Sequence, residues 1–504
     1  MFPISRILPR ARALYPERLA VRDGEKRFTF EELGRRVDAL AGALKAKGLK
    51  RGERVGILDV NSHRYAEAYY ACAQAGMILL PLNSRLAPPE LKYVLEDSGA
   101  RALIATEPFF EALEGTDVEL LVKDYDAFVA AGTPDPGVEQ AGLDDICQIY
   151  YTSGTTGEPK GVCLTHRNMI ASAFDSIVGL ELRRDDVWLH AAPMFHLVDA
   201  WSVWSMPLLG AAQVMVHFTP ERMMEAVQRT KATGAGVPPT LINMMVNHPR
   251  IGAYDLSSLR LVMYGGSPTP LGILQKAARA LPTRYIHAYG ITETSGITTL
   301  ADPEDFHVEG TPEQLALTGS AGRAVPHIDL AIADEKGRRL GKGQVGEVVV
   351  GGARVMREYW NKPKHTAEAL KNGWYHSGDL GFLDEASRLT IVDRKKDMII
   401  SGGENVYSVE VENAMSTHPA VLEVAAIGVP DEQWGEAVKA VVVLREGASA
   451  SADELIGFCR GRIASYKIPK SIHFSTEPLP KTGPGKIAKR RLRDPYWVGR
   501  DRKI

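Results

Sequence analysis

The sequence predicts an α/β protein of more than one domain, and three observations carry that prediction. Strand-like and helix-like patterns alternate from Phe28 onward. A stretch rich in Gly, Ser and Thr follows an apolar run at Ile146 to Tyr151, and the chain has 504 residues. Alternation of the two periods points to helices layered on largely parallel sheet. A chain of 504 residues exceeds what one hydrophobic core supports, so it must divide.

Thr29 and Glu32 have the spacing of a capping box, and Leu33, Val37, Leu40, Ala41 and Leu44 trace one helical face that stops at Gly48. Next come an expected strand at Val55 to Leu58, a helix over Ala66 to Ala75 and a strand over Met77 to Leu80. A helix over Pro88 to Glu96 and a strand over Ala100 to Ala105 continue the pattern. Residues 106–145 are acidic and weakly patterned, and read as a peripheral excursion. The uncharged run Ala200 to Phe218 has the length of a membrane span. Pro207 and Gly210 instead divide it into a buried helix and a strand over Gln213 to Phe218.

Thr233 to Thr240 and Leu259 to Pro268 each read as a strand running into a glycine turn, with room beside the backbone for a flat ring or a chain. Short apolar runs after Gly319 form a small β-rich part. The chain then alternates through a helix Ser408 to Met415, strands Val421 to Val429 and Ala437 to Leu444, and a helix Ala452 to Ile463, a compact α+β unit.

A formal net charge of −2 argues against a nucleic-acid binder, although K-I-A-K-R-R-L-R near the end is locally basic. The cysteines Cys72, Cys147, Cys163 and Cys459 form no C-x-x-C pair, so neither a zinc site nor a disulfide framework is expected, and a reducing cytoplasm fits. Prolines and arginines break M-F-P-I-S-R-I-L-P-R-A-R before a signal-peptide core accumulates.

Chemistry concentrates first in Tyr150 to Gly161, Y-Y-T-S-G-T-T-G-E-P-K-G, a loop strung after one strand, before a helix that Thr165 caps at His166. Gly154, Gly157 and Gly161 let backbone N–H groups approach an anion, and Thr152, Ser153, Thr155, Thr156 and Lys160 add donors. The guest such a loop suits is a polyphosphate. A Walker loop needs Lys followed by Ser or Thr, and here Gly161 follows Lys160, so a P-loop ATPase is disfavoured. Farther on, Y-I-H-A-Y-G-I-T-E-T-S-G offers a Tyr289 ring for stacking, a Thr292 hydroxyl for a phosphate and Glu293 as a hard oxygen ligand for Mg²⁺.

These strings, with W-Y-H-S-G-D at Trp374 to Asp379, V-D-R-K-K-D around Arg394 and P-K-T-G-P-G-K-I ending near Lys486, stand in an order that resembles the adenylate-forming enzymes. That family comprises acyl-CoA synthetases, luciferases and peptide-synthetase adenylation domains; this chain looks most like an acyl-CoA synthetase. The resemblance implies a large N-terminal domain over 1–393, made of layered α/β subdomains plus a β-rich one. A hinge at 394–396 about Lys396 and a small mobile α+β C-terminal domain over 397–504 complete it.

By the same resemblance, ATP is held by Thr152, Ser153, Gly154, Thr155, Thr156, Gly157 and Lys160, which grip the β- and γ-phosphates. Gly266, Ser267, His287, Ala288, Tyr289, Gly290 and Thr292 take the rest of the nucleotide, with Asp379 and Arg394 on the ribose. Glu293 holds Mg²⁺, and Lys486 bridges the attacking carboxylate and the α-phosphate, cancelling repulsion between two anions. That role also accounts for the basic tail without nucleic acid. Gly402, Gly403 and Lys467 face CoA. One departure stands out, since the family commonly has Pro after the aromatic residue of G-G-E-N-V-Y; Ser408 stands here and is expected to cap the next helix.

The acyl substrate is expected beside His196, which follows Phe195 at the end of an apolar strand, with Val198, Trp201, Gly236, Gly266, Gly290, Ile291 and Ile297. None of these is basic, which disfavours a dicarboxylate. Glycines at 236, 266 and 290 suggest space for an aromatic or a medium-to-long aliphatic acid. The implied reaction converts a carboxylic acid, ATP and CoA into acyl-CoA, AMP and pyrophosphate through an acyl-adenylate. Two alternatives remain, an adenylation enzyme that loads a carrier protein and an inactive nucleotide-binding regulatory protein; a homodimer is left open.

Overall fold

The computed structural model of the protein describes residues 1–152, 158–267, 269–481 and 487–498. Within them the chain is mixed α/β and packs as a large unit (Met1–Pro268, Gln275–Asp329, Val350–Tyr375) and a smaller one (Thr269–Leu274, Leu330–Val349, His376–Ile504).

Two sheets build the large unit. The seven-stranded sheet runs Glu358–Tyr359, Lys160–Thr165, Ile146–Thr152, Ile78–Pro81, Arg54–Leu58, Ala102–Ala105, Leu120–Val122. Its inner strands Ile78–Pro81, Arg54–Leu58 and Ala102–Ala105 pair in parallel and are apolar almost throughout, as strands covered on both faces must be. The excursion 106–145 adds the edge strand Leu120–Val122 and a helix Tyr125–Ala130, anchored by Tyr125, whose hydroxyl donates to the buried Glu67 carboxylate at 2.6 Å.

The nine-stranded sheet runs Arg323–Ala324, Gly296–Leu300, Arg284–Ile291, Leu261–Gly265, Gly234–Gly236, Val187–His190, Ala212–Met215, Leu19–Asp23, Lys26–Thr29. Between its last strand and the helix Phe30–Ala46, Thr29 and Glu32 close the capping box that their spacing predicts, at 3.2 and 2.8 Å. The helix Phe30–Ala46 then buries Leu33, Val37, Leu40, Ala41 and Leu44 completely, each leucine or valine contributing about 1.5–3 kcal/mol. The run after Ala200 divides at Gly210 into the helix Ser202–Leu209 and the strand Ala212–Met215; Pro207 lies inside the helix rather than ending it, and the strand stops short of the expected Phe218. Among the described residues no helix is long and apolar enough to cross a membrane.

The phosphate-loop region departs from the expectation of a loop after one strand. Ile146–Thr152 and Lys160–Thr165 form an antiparallel hairpin in which Tyr151 faces Gly161 and Thr152 faces Lys160. Gly161 is therefore small for packing: a Cβ there would lie 2.8 Å from Ile149 and 3.1 Å from the Tyr151 ring. Thr165 does cap the helix His166–Gly179, accepting from Asn168 N.

In the smaller unit, Glu404–Val406, Ile399–Ser401, Gly435–Leu444 and Val421–Asp431 form one sheet, with Ser471–Phe474 beside Gly435–Leu444. The helices Ser408–Ser416 and Ala452–Cys459 cover it. The second helix stops short of the expected Ile463, because Arg460 is extended and Gly461 has φ +75°. All four cysteines are buried.

A Gly161→Val substitution should lower stability by about 1–3 kcal/mol by forcing Ile149 and Tyr151 apart, measured as a fall in thermal midpoint.

Candidate active site

Four stretches that the sequence singled out lie in the large unit. The hairpin sets Thr152 and Lys160 opposite each other at the base of the 153–157 connection. Ser153, Gly154, Thr155, Thr156 and Gly157 lie outside the described residues. The Lys160 ammonium sits 5.2 Å from the centre of the Tyr359 ring, a cation–π distance. Burial lowers its pKa, opposed by the carboxylates of Glu368 and Glu293.

Glu293 lies in a 3₁₀ turn, Thr292–Thr294, that leaves the strand Arg284–Ile291 and ends at Ser295 with φ +60°. The buried Tyr359 donates through its hydroxyl to Glu293 Oε1 at 2.9 Å, and Met356 N donates to the Glu293 carbonyl at 2.7 Å. The Glu293 carboxylate is the kind of hard oxygen donor that Mg²⁺ takes when most of its other ligands are phosphate and water. The residues present therefore fit the ion.

Along the same strand, His287 Nδ1 donates to the Ser320 carbonyl at 2.7 Å and its ring stacks on Tyr264, with centroids 5.0 Å apart. Burial lowers the His287 pKa, which the Ser320 hydrogen bond partly offsets. Ala288 is buried and Tyr289 half-buried. At the end of the adjacent strand, Gly266 has φ +85° and is exposed, with Ser267 half-buried beside it.

The acyl-side residues divide in two. Phe195 packs on His196 with centroids 4.5 Å apart; His196, Val198 and Ile291 are half-buried. Trp201 is fully buried, its indole N–H donating to the Val198 carbonyl at 3.2 Å, so it backs this wall rather than facing outward. Ile297 is buried as well.

The space inferred from the glycines needs correction. A Cβ on Gly290 would lie 2.0 Å from the Gly296 carbonyl oxygen, so that glycine serves strand pairing. One on Gly236 would meet Met263, Asp199 and Val198 at 3.2–3.4 Å, whereas one on Gly266 would find only Val198 at 3.8 Å. Among the described residues, Gly266 alone of the three would meet a Cβ with no more than an ordinary contact, and its φ of +85° is what favours glycine there.

Sequence reading missed the polar support of this wall. Asp199 is fully buried and accepts from Trp188 Nε1 and binds His190 Nδ1, both at 2.8 Å, while His190 Nε2 faces Gln213 Oε1 at 3.0 Å. It missed Tyr359 too, because a two-residue strand has no period to detect.

In the smaller unit, Asp379 and Arg394 are register partners on adjacent antiparallel strands, and their side chains approach to 3.6 Å. Two residues on, the partly buried Lys396 has its pKa lowered by desolvation and by Arg394. Gly402 has φ +62° and its N–H donates to the Trp434 carbonyl; Gly403 has φ +83° and open space where a Cβ would be. Lys467 is paired with Glu410 at 2.7 Å. Lys486 lies outside the described residues.

Ser408 does not cap its helix. It is the first helical residue, behind Tyr407, and both its N–H and its hydroxyl donate to the Asp393 carboxylate. Lys489 donates to the Ser408 hydroxyl at 2.6 Å and pairs with Glu412 at 2.7 Å. Proline, the family's usual residue, supplies neither donor. Ser408→Ala should cost about 1–3 kcal/mol, since Asp393 and Lys489 stay buried with one partner fewer. Thermal melting of the full chain measures it.

Comparison with known proteins places this geometry. The family model described as AMP-binding enzyme matches residues 8–360, and that of the AMP-binding enzyme C-terminal domain matches residues 410–486. A feruloyl-CoA synthase of Amycolatopsis sp is 41% identical over 483 residues, covering 95% of this chain and 96% of its own. A fatty acid–[acyl-carrier-protein] ligase of Streptomyces coeruleorubidus is 36% identical over 491 residues, covering 95% and 93%. Among solved structures, the o-succinylbenzoate-CoA synthetase of Bacillus subtilis with its acyl-adenylate intermediate superposes with a TM-score of 0.88 at 30% identity, covering 100% and 99%. With both family domains matched in order, the chain belongs to the AMP-binding enzymes, the adenylate-forming family, and within it is most like the acyl-CoA synthetases.

Proposed function

We propose that the chain is an AMP-forming ligase that joins an aromatic monocarboxylic acid to CoA. The carboxylate attacks the α-phosphorus of ATP, releasing pyrophosphate and leaving an acyl-adenylate; the CoA thiol then attacks the acyl carbon and AMP departs. The observation that carries the reading is the 41% identity, over nearly the whole of both chains, to a feruloyl-CoA synthase. The wall of buried Phe195 with half-buried His196 and Val198, beside the exposed Gly266, holds no lysine, arginine or carboxylate and supports a flat apolar acyl group.

Thr152, Lys160 and the 153–157 connection hold the leaving pyrophosphate in this reading. Glu293 would hold Mg²⁺, which when bound neutralises phosphate charge, and the Thr292 hydroxyl takes the α-phosphate. Asp379 and Arg394 take the ribose, and Lys486 brings the two anions together. After adenylation the C-terminal domain turns about Lys396, withdrawing Lys486 and advancing Gly402 and Gly403 towards the pantetheine chain. The protein works in cytoplasm, where ATP and reduced CoA are available.

A second reading, transfer to a carrier protein, is favoured by the 36% identity to an acyl-carrier-protein ligase. AMP release across a panel of ferulate, benzoate, octanoate, palmitate, acetate and malonate, with CoA or with a phosphopantetheinyl carrier protein, separates the two. Turnover should be fastest with ferulate and CoA. Exclusive use of acetate or malonate would sink the reading.

Half-reactions test the residue roles. Lys160→Ala and Lys486→Ala should each slow adenylation at least tenfold and spare thioester formation from preformed acyl-adenylate; equal damage to both steps refutes the division. Tyr359→Phe removes a hydrogen bond to a carboxylate, worth about 1.5–3 kcal/mol. Its adenylation rate should fall by about ten- to a hundredfold, read by pyrophosphate exchange.

Lys160 must be charged to hold phosphate, and burial favours its neutral form. ATP affinity should therefore weaken, as pH rises, before an ordinary lysine would titrate. Lys160→Arg should move that alkaline limb upward, measured as KM for ATP against pH.

A further inference from the structure

The helix His166–Gly179 carries Asn168, Ser172 and Asp175 at spacings of four and three residues, which places all three on one face. All are buried, so a polar stripe runs through what should be an apolar surface. Its partner is Arg354, a guanidinium with no exposed surface.

Arg354 Nη1 binds Asp175 Oδ2 at 3.1 Å, and Nη2 donates to Ser172 Oγ at 3.0 Å and to the Ser295 carbonyl at 2.9 Å. Ser172 Oγ donates to that same carbonyl at 2.9 Å, and Ser295 Oγ donates back to the Arg354 carbonyl at 2.7 Å. Asn168 Nδ2 donates to the carbonyls of Ala353 and Val355, at 2.8 and 3.0 Å, and so fixes the backbone on both sides of the arginine. His327 Nδ1 takes the other Asp175 oxygen at 2.7 Å.

Ser295 closes the turn that carries Thr292 and Glu293, and its φ of +60° is a left-handed conformation costing a non-glycine residue about 1 kcal/mol. Such a residue persists when its surroundings over-determine it. Here four hydrogen bonds converge on Ser295. Burying a full charge for turn geometry alone is expensive, since only Asp175 compensates it.

We propose that Arg354 is a positioning residue for adenylation: through its bracket on Ser295 it holds the Thr292–Glu293 turn in the geometry that receives Mg²⁺ and the α-phosphate. This rests on the adenylation chemistry proposed above. Apolar or small residues would fill the same volume more cheaply, whereas a planar fork is what reaches a carboxylate, a hydroxyl and a carbonyl at once. Burial lowers the guanidinium pKa to about 10, with Asp175 opposing, so the group stays charged at neutral pH.

The test compares Arg354→Lys, Arg354→Met and Ser295→Ala with the wild-type chain by thermal melting, equilibrium binding of Mg–α,β-methylene-ATP, pyrophosphate exchange and thioester formation from preformed acyl-adenylate. Arg354→Lys keeps the charge beside Asp175 without the fork, and Ser295→Ala keeps the arginine and removes one bond of the bracket. For both, pyrophosphate exchange and analogue affinity should fall about tenfold or more, with thioester formation within about twofold of wild type. Arg354→Met should lose more and melt earlier.

Equal losses in both half-reactions, or a lowered melting temperature with unchanged exchange per folded molecule, would overturn the inference and leave Arg354 a packing residue. Were the wild-type chain itself to form no adenylate with any acid, the proposed function would fall instead.

Discussion

The phosphate end of the large unit depends on one short stretch of backbone, Arg354 to Trp360, meeting both sheets. Tyr359 lies in register with Val162 at the edge of the seven-stranded sheet, and Arg357 N and Trp360 N extend that pairing to Cys163 and Gly161. From the same stretch, Met356 N and the Tyr359 hydroxyl reach Glu293, which follows a strand of the nine-stranded sheet. Lys160 and Glu293, one from each sheet, are thereby set on either side of a single phenol ring. In the proposed reaction both residues serve the same Mg–ATP, the lysine at the phosphates and the carboxylate at the ion.

Glycines in this chain serve two ends that the sequence cannot separate. Gly290 and Gly161 are small because backbone or side chains already occupy the place of a Cβ, and enlarging them would push the fold apart. Gly266 has a φ of +85° that glycine adopts without strain, and a Cβ there would only touch Val198 at 3.8 Å. Specificity for the acid is thus narrower in origin than a count of glycines suggests. In the proposed function it rests on the Phe195–Val198 turn, which the buried Asp199 pins from behind through Trp188 and His190.

Patterns of regular period were legible in the sequence. The capping box at Thr29, the apolar face behind it, the helix stop at Gly210 and the α/β alternation all follow from local spacing. The second strand of the hairpin was not, because its first residues, Lys160 and Gly161, belong to the loop string Tyr150 to Gly161, and only the pairing of Tyr151 with Gly161 reveals its partner. Ser408 misled for a related reason: a serine at a helix start reads as a cap, while the buried Asp393 that claims its hydroxyl is 15 positions away. The strings that named the family gave the site's residue types. Their support, Tyr359 for Glu293 and Arg354 for Ser295, comes from long-range contacts that no local signal announces. The stripe Asn168, Ser172 and Asp175 was visible as polar residues at helical spacing, but its meaning required the arginine.

The burial of all four cysteines has a consequence for an enzyme that handles thioesters. A thiol is nucleophilic as its thiolate, and desolvation raises the pKa of Cys72, Cys147, Cys163 and Cys459 alike. An acyl-adenylate is a strong acyl donor, and a surface thiolate would intercept it or exchange with CoA disulfide. With its own sulfurs withdrawn into the cores of both units, the protein leaves the incoming cofactor's thiol as the sulfur nucleophile that competes for the acyl group.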